Sequence, residues 1–406
     1  MDALIAAAAR ALAAGDTLAA LNLVALRDDA PGLALRGVAM AQLGDVARGG
    51  ALLRRATRAF APHEVVARAR AVVAEAEIAL VSRDLGRRTQ TLASARATLD
   101  AHGDRTNAAH AGALEARRLL LLGRLGEAER TLDGLAADAL PPASRTAFHL
   151  VAAGIAMRRI RAAPARAALA RAARTARSAR IPALCAEVDR AVRLFEAPAA
   201  RLLAHGGARS LRLAEVERLL DSDTLVVDAC RRDVRAGRMR IPLRSRPVLF
   251  TLARLLAEAW PEDESRGTLL ARTFRAHAPD DSYRARLRVE IGRLRTALRP
   301  LARLHATPRG FALEPSGGGG VVVLAPPVEG EHVAVLALLA DGEAWSSSAL
   351  ALALGVSART VQRVLESLAR AGAAEPVGRG RARRWTAPSV PGFPTSLLLP
   401  TTDPDG

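Results

Sequence analysis

Six arginines fall between positions 284 and 299, and Glu290 is the only acidic residue among them. A guanidinium is planar, permanently charged and carries five donors in a fixed fork, so it suits phosphate oxygens and the guanine edge. What the six can do depends on where the backbone puts them. Leu287, Ile291, Leu294 and Leu298 stand at i, i+4, i+7 and i+11, which is one stripe of a helix. Half a turn away the face reads Ala285, Val289, Gly292 and Thr296. Arg288, Arg295 and Arg299 flank that small-residue face on one edge, with Arg284 farther round, and Arg286 and Arg293 flank the other. A helix of this kind can lie in a DNA major groove, its arginines reaching phosphates on either wall and Thr296 at the floor. The plain alternative is a solvated basic helix, which charge alone does not separate from a reading helix.

A second set stands near the C-terminus. In SARTVQRVLESLARAG (357–372), Val361, Val364, Leu365 and Leu368 turn inward and leave Arg359, Thr360, Gln362 and Arg363 outward. Arginine can read guanine edges and glutamine adenine edges. Arg379, Arg381, Arg383 and Arg384 follow close behind without an acidic residue between them.

Other chemistries lack their residues. The chain has no lysine, all 59 of its basic residues being arginine, so a standard Walker phosphate loop is excluded. The eight histidines are scattered, and none pairs at i, i+4 or joins a cysteine, which argues against a zinc site. Cys185 and Cys230 stand alone and read as reduced, buried small residues. Gly317–Gly320 precede no helix start and read as a joint rather than a phosphate cradle. The expectation is a non-enzyme without cofactor or metal.

The elements that must hold the arginines follow from composition and punctuation. Length allows two to four domains, and with aromatics at 3% the core rests on Leu, Ala and Val, which suits packed helices. Formal charge is +18, and residues 201–315 hold 23 arginines against 14 acidic residues, a focused basic segment suited to a polyanion. The first residues lack a basic n-region, and no apolar run approaches the roughly 20 residues of a membrane span. A cytoplasmic, nucleoid-associated protein is expected. Residues 1–200 read as successive helices, with Gly44, Gly86 and Gly126 about 40 residues apart, the mark of an α-solenoid. Residues 201–224 read as a helical connector, 225–315 as strands, three helices and a hairpin, and 316–330 as a Gly/Pro-rich linker and strand. Residues 331–388 hold three helices, the last two around a tight turn at Gly355-Val356, and a Gly-hinged basic run, and 389–406 form a Pro-rich tail.

Three resemblances attach to these stretches. G-x-A-x-A-Q-L-G-D at 37–45 resembles the first helix and turn of the tetratricopeptide superfamily, which implies a concave surface for a protein, a peptide or a small ligand, RNA polymerase being one candidate. I-x-R-L-R-x-x-L at 291–298 and T-x-R-G-F at 307–311 resemble the winged-helix output domain of OmpR- and PhoB-type response regulators. That resemblance implies a recognition helix at 283–298, with Arg293 and Arg295 at matching contact positions and Arg309 as the wing arginine for the minor groove. No receiver pattern precedes it, so aspartyl-phosphate control is excluded. The 331–388 stretch is similar to a second winged helix-turn-helix. The expected fold is mainly α, a tetratricopeptide-like solenoid followed by two α+β winged-helix domains. The expected function is a bacterial transcriptional regulator that binds double-stranded DNA by sequence, with no membrane partner and an unassigned oligomeric state. A replication or partition initiator and a protein-interaction scaffold are the alternatives.

Overall fold

A computed structural model of the chain describes residues 2–81, 89–204, 207–274, 281–326, 333–339, 344–354, 356–370, 374–378, 380 and 383–386. The chain is mainly helical, with a smaller sheet component. Among the described residues no helix is long and apolar enough to cross a membrane. Two compact units divide it, one of residues 1–159, 163–194 and 332–406, the other of residues 160–162 and 195–331.

The first unit opens with eleven α-helices among the described residues: α1 (Ala3–Ala13), α2 (Thr17–Val24), α3 (Ala30–Gln42), α4 (Val46–Ala59), α5 (Val65–Val81), α6 (Thr89–Ala101), α7 (Arg105–Leu121), α8 (Leu125–Asp133), α9 (Pro142–Arg158), α10 (Ala162–Ala179) and α11 (Pro182–Glu196), the last two crossing the unit limits at one end. Their starts are local chemistry. Asp16, Asp45 and Asp104 each accept a backbone N–H three residues on, at 3.0, 3.0 and 3.2 Å, which satisfies an orphan donor of the helix that follows. A glycine precedes each aspartate, and at Gly44, with φ +95°, the left-handed backbone that ends α3 favours a residue without Cβ. The turn marked by Gly126 lies three residues earlier, at Gly123, because Gly126 is already inside α8. The Leu85-Gly86 turn falls outside the described residues.

The same unit ends with α16 (Val333–Leu339), α17 (Ser347–Leu354), α18 (Ala358–Arg370) and the antiparallel pair β10 (Glu375–Val377) and β11 (Arg384–Thr386). Ser346 and Ser357 cap α17 and α18 through Ala349 N–H at 3.0 Å and Thr360 N–H at 3.1 Å. Trp345, fully buried, bonds Trp385 backbone to backbone in both directions at 2.7 Å, an isolated antiparallel bridge beside the pair. Residues 331–388, expected as a domain of their own, share a core with the helices. Leu339, Trp345 and Leu365 belong to one continuous apolar cluster with Val73 of α5, Leu99 of α6 and Leu114 of α7. A segment of this size is marginal by itself, and sharing a core with α5, α6 and α7 adds to the apolar surface it buries.

The second unit is built on a six-stranded sheet in the order β2-β1-β9-β3-β4-β5. The strands are β1 (Ala200–Ala204), β2 (Gly207–Leu211), β3 (Leu225–Asp228), β4 (Asp233–Ala236), β5 (Met239–Pro242) and β9 (Val321–Ala325). All neighbours are antiparallel except β3 and β9, which run parallel with Val226 opposite Val322. Both faces of the central strands are covered, which is why β3 and β9 read as unbroken apolar runs. Leu225, Val227, Val321 and Val323 turn to one core; Val226 and Leu324 turn to the other, against α12 (Leu213–Leu220).

This topology corrects two expected boundaries. The stretch 201–224 is not a helical connector: it holds β2, most of β1 and α12. The 316–330 stretch does contain the expected strand, and that strand enters the sheet between β1 and β3, so the sheet extends past residue 315. The pairing was illegible locally, since Leu202 becomes a strand residue only by lying opposite Leu324.

On the first core lie α13 (Pro247–Ala259), α14 (Arg266–Phe274) and α15 (Asp281–Leu298). After α15 comes the hairpin β7 (Ala302–Ala306) and β8 (Gly310–Pro315), with the two-residue β6 (Glu264–Ser265) on the other side of β8. A Cβ on Gly310 would stand 1.8 Å from the Glu264 carbonyl oxygen, so the β6–β8 contact requires glycine there.

Candidate nucleic-acid interface

Burial on α15 follows the sequence stripe. Leu287, Ile291, Leu294 and Leu298 are 3%, 2%, 0% and 0% exposed, and they anchor the helix to the core. Away from the core, Ala285, Val289 and Thr296 are exposed, Val289 by 53%, and a Cβ on Gly292 would meet nothing within 4 Å. The Thr296 hydroxyl donates to the Gly292 carbonyl at 3.1 Å.

All six arginines of the helix edge are exposed, yet they are not equivalent. Arg284 pairs with Asp281 at 3.1 Å and Arg293 with Glu290 at 2.8 Å, each one turn away along the helix. Arg286 lies over the Phe274 ring, 4.8 Å from its centroid. Arg295 donates from Nε to the Leu304 carbonyl at 3.2 Å, tying α15 to β7. Arg288 and Arg299 engage no partner among the described residues. Two expected contact residues, Arg293 and Arg295, are therefore already held within the molecule, and the two with uncommitted guanidiniums are the flanking pair.

The hairpin turn Thr307–Arg309 is fixed from below. The Thr307 hydroxyl donates to Asp263, and Gly310 N–H donates to the Thr307 hydroxyl oxygen at 2.8 Å. Arg266 donates to the Pro308 and Thr307 carbonyls at 2.8 and 2.9 Å while lying 5.3 Å from the centroid of the Phe311 ring. Arg309 stands 3.6 Å from Asp263 and stays 65% exposed at its side chain. Asp263 and Arg266 were not singled out in the sequence. No local pattern marks them, because their partners lie more than 40 residues away.

On α18, Val361, Leu365 and Leu368 are buried while Arg359, Gln362 and Arg363 are exposed. Thr360 is half-buried, and its hydroxyl lies 2.8 Å from that of Ser357 at the helix cap, which leaves it less open than its neighbours. Arg383 is exposed and stacks on Trp385 at 4.4 Å, and Arg384 is half-buried. Arg379, Arg381, Gly355 and the 389–406 tail lie outside the described residues.

One further expectation is corrected by the structure. Cys185 and Cys230 are both free thiols, but neither is buried: Cys185 is half-buried and Cys230 exposed, on the turn after β3. That turn is shaped by Asp228, whose carboxylate accepts the Cys230 and Arg231 N–H groups at 2.8 and 3.0 Å and so holds residue 230 outward. No cluster of three or more possible metal ligands occurs among the described residues.

No protein family, curated protein or solved structure matches this chain.

Proposed function

We propose that this protein is a sequence-specific DNA-binding transcriptional regulator in which α15 and α18 are the reading helices. The observation that carries the reading is the division of α15: an apolar stripe sunk in the core, an open small-residue face, and exposed guanidiniums along its edges. Such a helix fits the width of a major groove, and the hairpin after it is braced where a winged helix would place its wing. In this reading the unit of residues 195–331 is an OmpR-like winged helix. The α16–α18 segment with β10 and β11 is a second one, and α1–α11 are a tetratricopeptide-like array that docks a protein, peptide or small ligand. Phosphate contacts from the arginines supply salt-dependent affinity, and outward residues such as Gln362 supply discrimination.

The test is selection of bound duplexes from a random DNA pool by the full chain at two salt concentrations. An enriched motif that survives at the higher salt is the expected result. Binding that disappears at higher salt with no motif enriched would reduce the arginines to a polyanion surface and remove the regulator reading.

A further inference from the structure

The second unit has a cleft of about 330 Å³ that the DNA reading does not use. Arg232, Arg254 and Arg272 stand around it, and Pro247, Phe250 and Leu255 line its apolar side. They come from three elements: the turn between β3 and β4, the helix α13, and α14. Charge in the cleft is unbalanced. Among the described residues Glu258 is the carboxylate that answers these guanidiniums, with one oxygen 2.6 Å from Arg254 Nε and the other 3.3 Å from Arg272. Arg232 has no side-chain partner among the described residues. Three guanidiniums against one carboxylate leave a cationic excess beside a wall of aromatic and aliphatic carbon.

Arg232 carries a second, independent signal. Its backbone sits at φ +56°, in the left-handed region where a β-carbon is crowded and glycine or asparagine costs less. Strain of this kind persists where the surrounding structure fixes it, and it collects at ligand sites. Its carbonyl accepts Leu243 N–H at 2.9 Å, which pins the turn in this conformation and holds the side chain at the cleft. Folding by itself would be served as well or better by glycine at 232.

We propose that this cleft binds a small organic anion, a phosphate or carboxylate on an apolar body. The charged head would be taken by Arg232 and Arg272, and the body would lie against Phe250 and Leu255. The volume is at the lower end of small-molecule sites, which sets the ligand at the size of a single substituted ring. Arginine forks match both head groups, so the two sources have to be separated by measurement. The inference stands apart from the DNA reading, since none of its residues lies on α15 or α18.

The experiment is thermal melting and calorimetric titration of the full chain with phenyl phosphate and with benzoate, at physiological ionic strength. At least one probe is expected to raise the melting temperature saturably with a submillimolar Kd. A response to phenyl phosphate alone assigns a phosphorylated ligand, and a response to benzoate alone a carboxylated one. The decisive variant is Arg232→Gly, which relieves the left-handed strain and removes the charge. It should melt no lower than the parent without ligand, yet bind the active probe at least tenfold more weakly, and Arg272→Ser should weaken binding similarly. An equal response in parent and variants would mean adventitious anion binding to an arginine-rich surface and would overturn the proposal. So would no saturable response to either probe.

Discussion

Among the described residues, Arg288 of α15 and Arg299 just past its end differ from the other four arginines in having no partner to hold them. Arg284, Arg286, Arg293 and Arg295 must each give up or share a carboxylate, a ring or a carbonyl to meet an outside partner. Arg288→Ala and Arg299→Ala are therefore expected to weaken binding to every duplex and to lower the salt slope by about one each. Arg293→Ala should also weaken binding to all sequences and flatten the slope. Gln362→Ala should leave the slope alone and relax preference at one base pair by about 1–3 kcal/mol. Fluorescence anisotropy over a salt series, with selected and random duplexes, separates the two kinds. Parent-like behaviour of all four variants would remove these helices from the interface.

A different residue-scale prediction concerns Glu77 of α5, 1% exposed and 3.1 Å from His110 of α7. Burial pushes its carboxyl up from the ordinary 4.5, with the His110 side chain acting in the opposite direction. A raised carboxyl binds its proton more tightly in the folded chain, so stability from this site is present below pH 4.5 and lost as pH rises through the folded value. Glu77→Gln should thus raise the melting temperature at pH 7–8, and the gain should shrink towards zero as pH falls below that of the free carboxyl. Melting curves across that range test it, and an unchanged difference at all pH values would mean that Glu77 carries no proton-linked cost.

Among the elements, α15 and the hairpin that follows are one mechanical piece. Arg295 ties the helix to β7, while Asp263 and Arg266 hold the turn and β6 closes on β8. Because a Cβ at Gly310 would run into the Glu264 backbone, Gly310→Ala should cost about 1–3 kcal/mol as β6 and β8 separate. Leu294→Ala, at a position with no exposure, should cost about 2–5 kcal/mol. Urea denaturation of the full chain, followed in the transition that reports residues 195–331, measures both. The helix stripe could be read beforehand, since it is a relation between residues three or four positions apart. The wing clamp could not, because nothing about Asp263 or Arg266 in its own neighbourhood differs from an ordinary surface charge.

For the whole molecule the consequences are in the cut points. A fragment of residues 225–315, the limits read from the sequence, lacks β1, β2, α12 and β9. It would strip Val321 and Val323, 1% and 0% exposed, from the core beneath α13. That fragment is expected to lack a cooperative melt, whereas residues 195–331 should unfold in one transition by circular dichroism. Likewise the α16–α18 segment draws on Val73, Leu99 and Leu114, so it should gain protection from hydrogen exchange only when joined to the helices before it.

Spacing along the chain was enough for the helical character of residues 1–200, the buried stripes of α15 and α18 and the places where positive charge collects. These follow from spacings within a turn or two of the backbone and survive in any context. Tertiary structure alone decided that β9 enters the middle of the sheet, that β1 and β2 are strands, and which arginines are already spent inside the fold. It alone brought Arg232, Arg254 and Arg272 around one cleft. Those outcomes depend on pairings such as Leu202 with Leu324 and Arg266 with Pro308. Partners that distant in the chain impose no period on the residues around them, so the energy that selects them exists only once the chain has closed on itself.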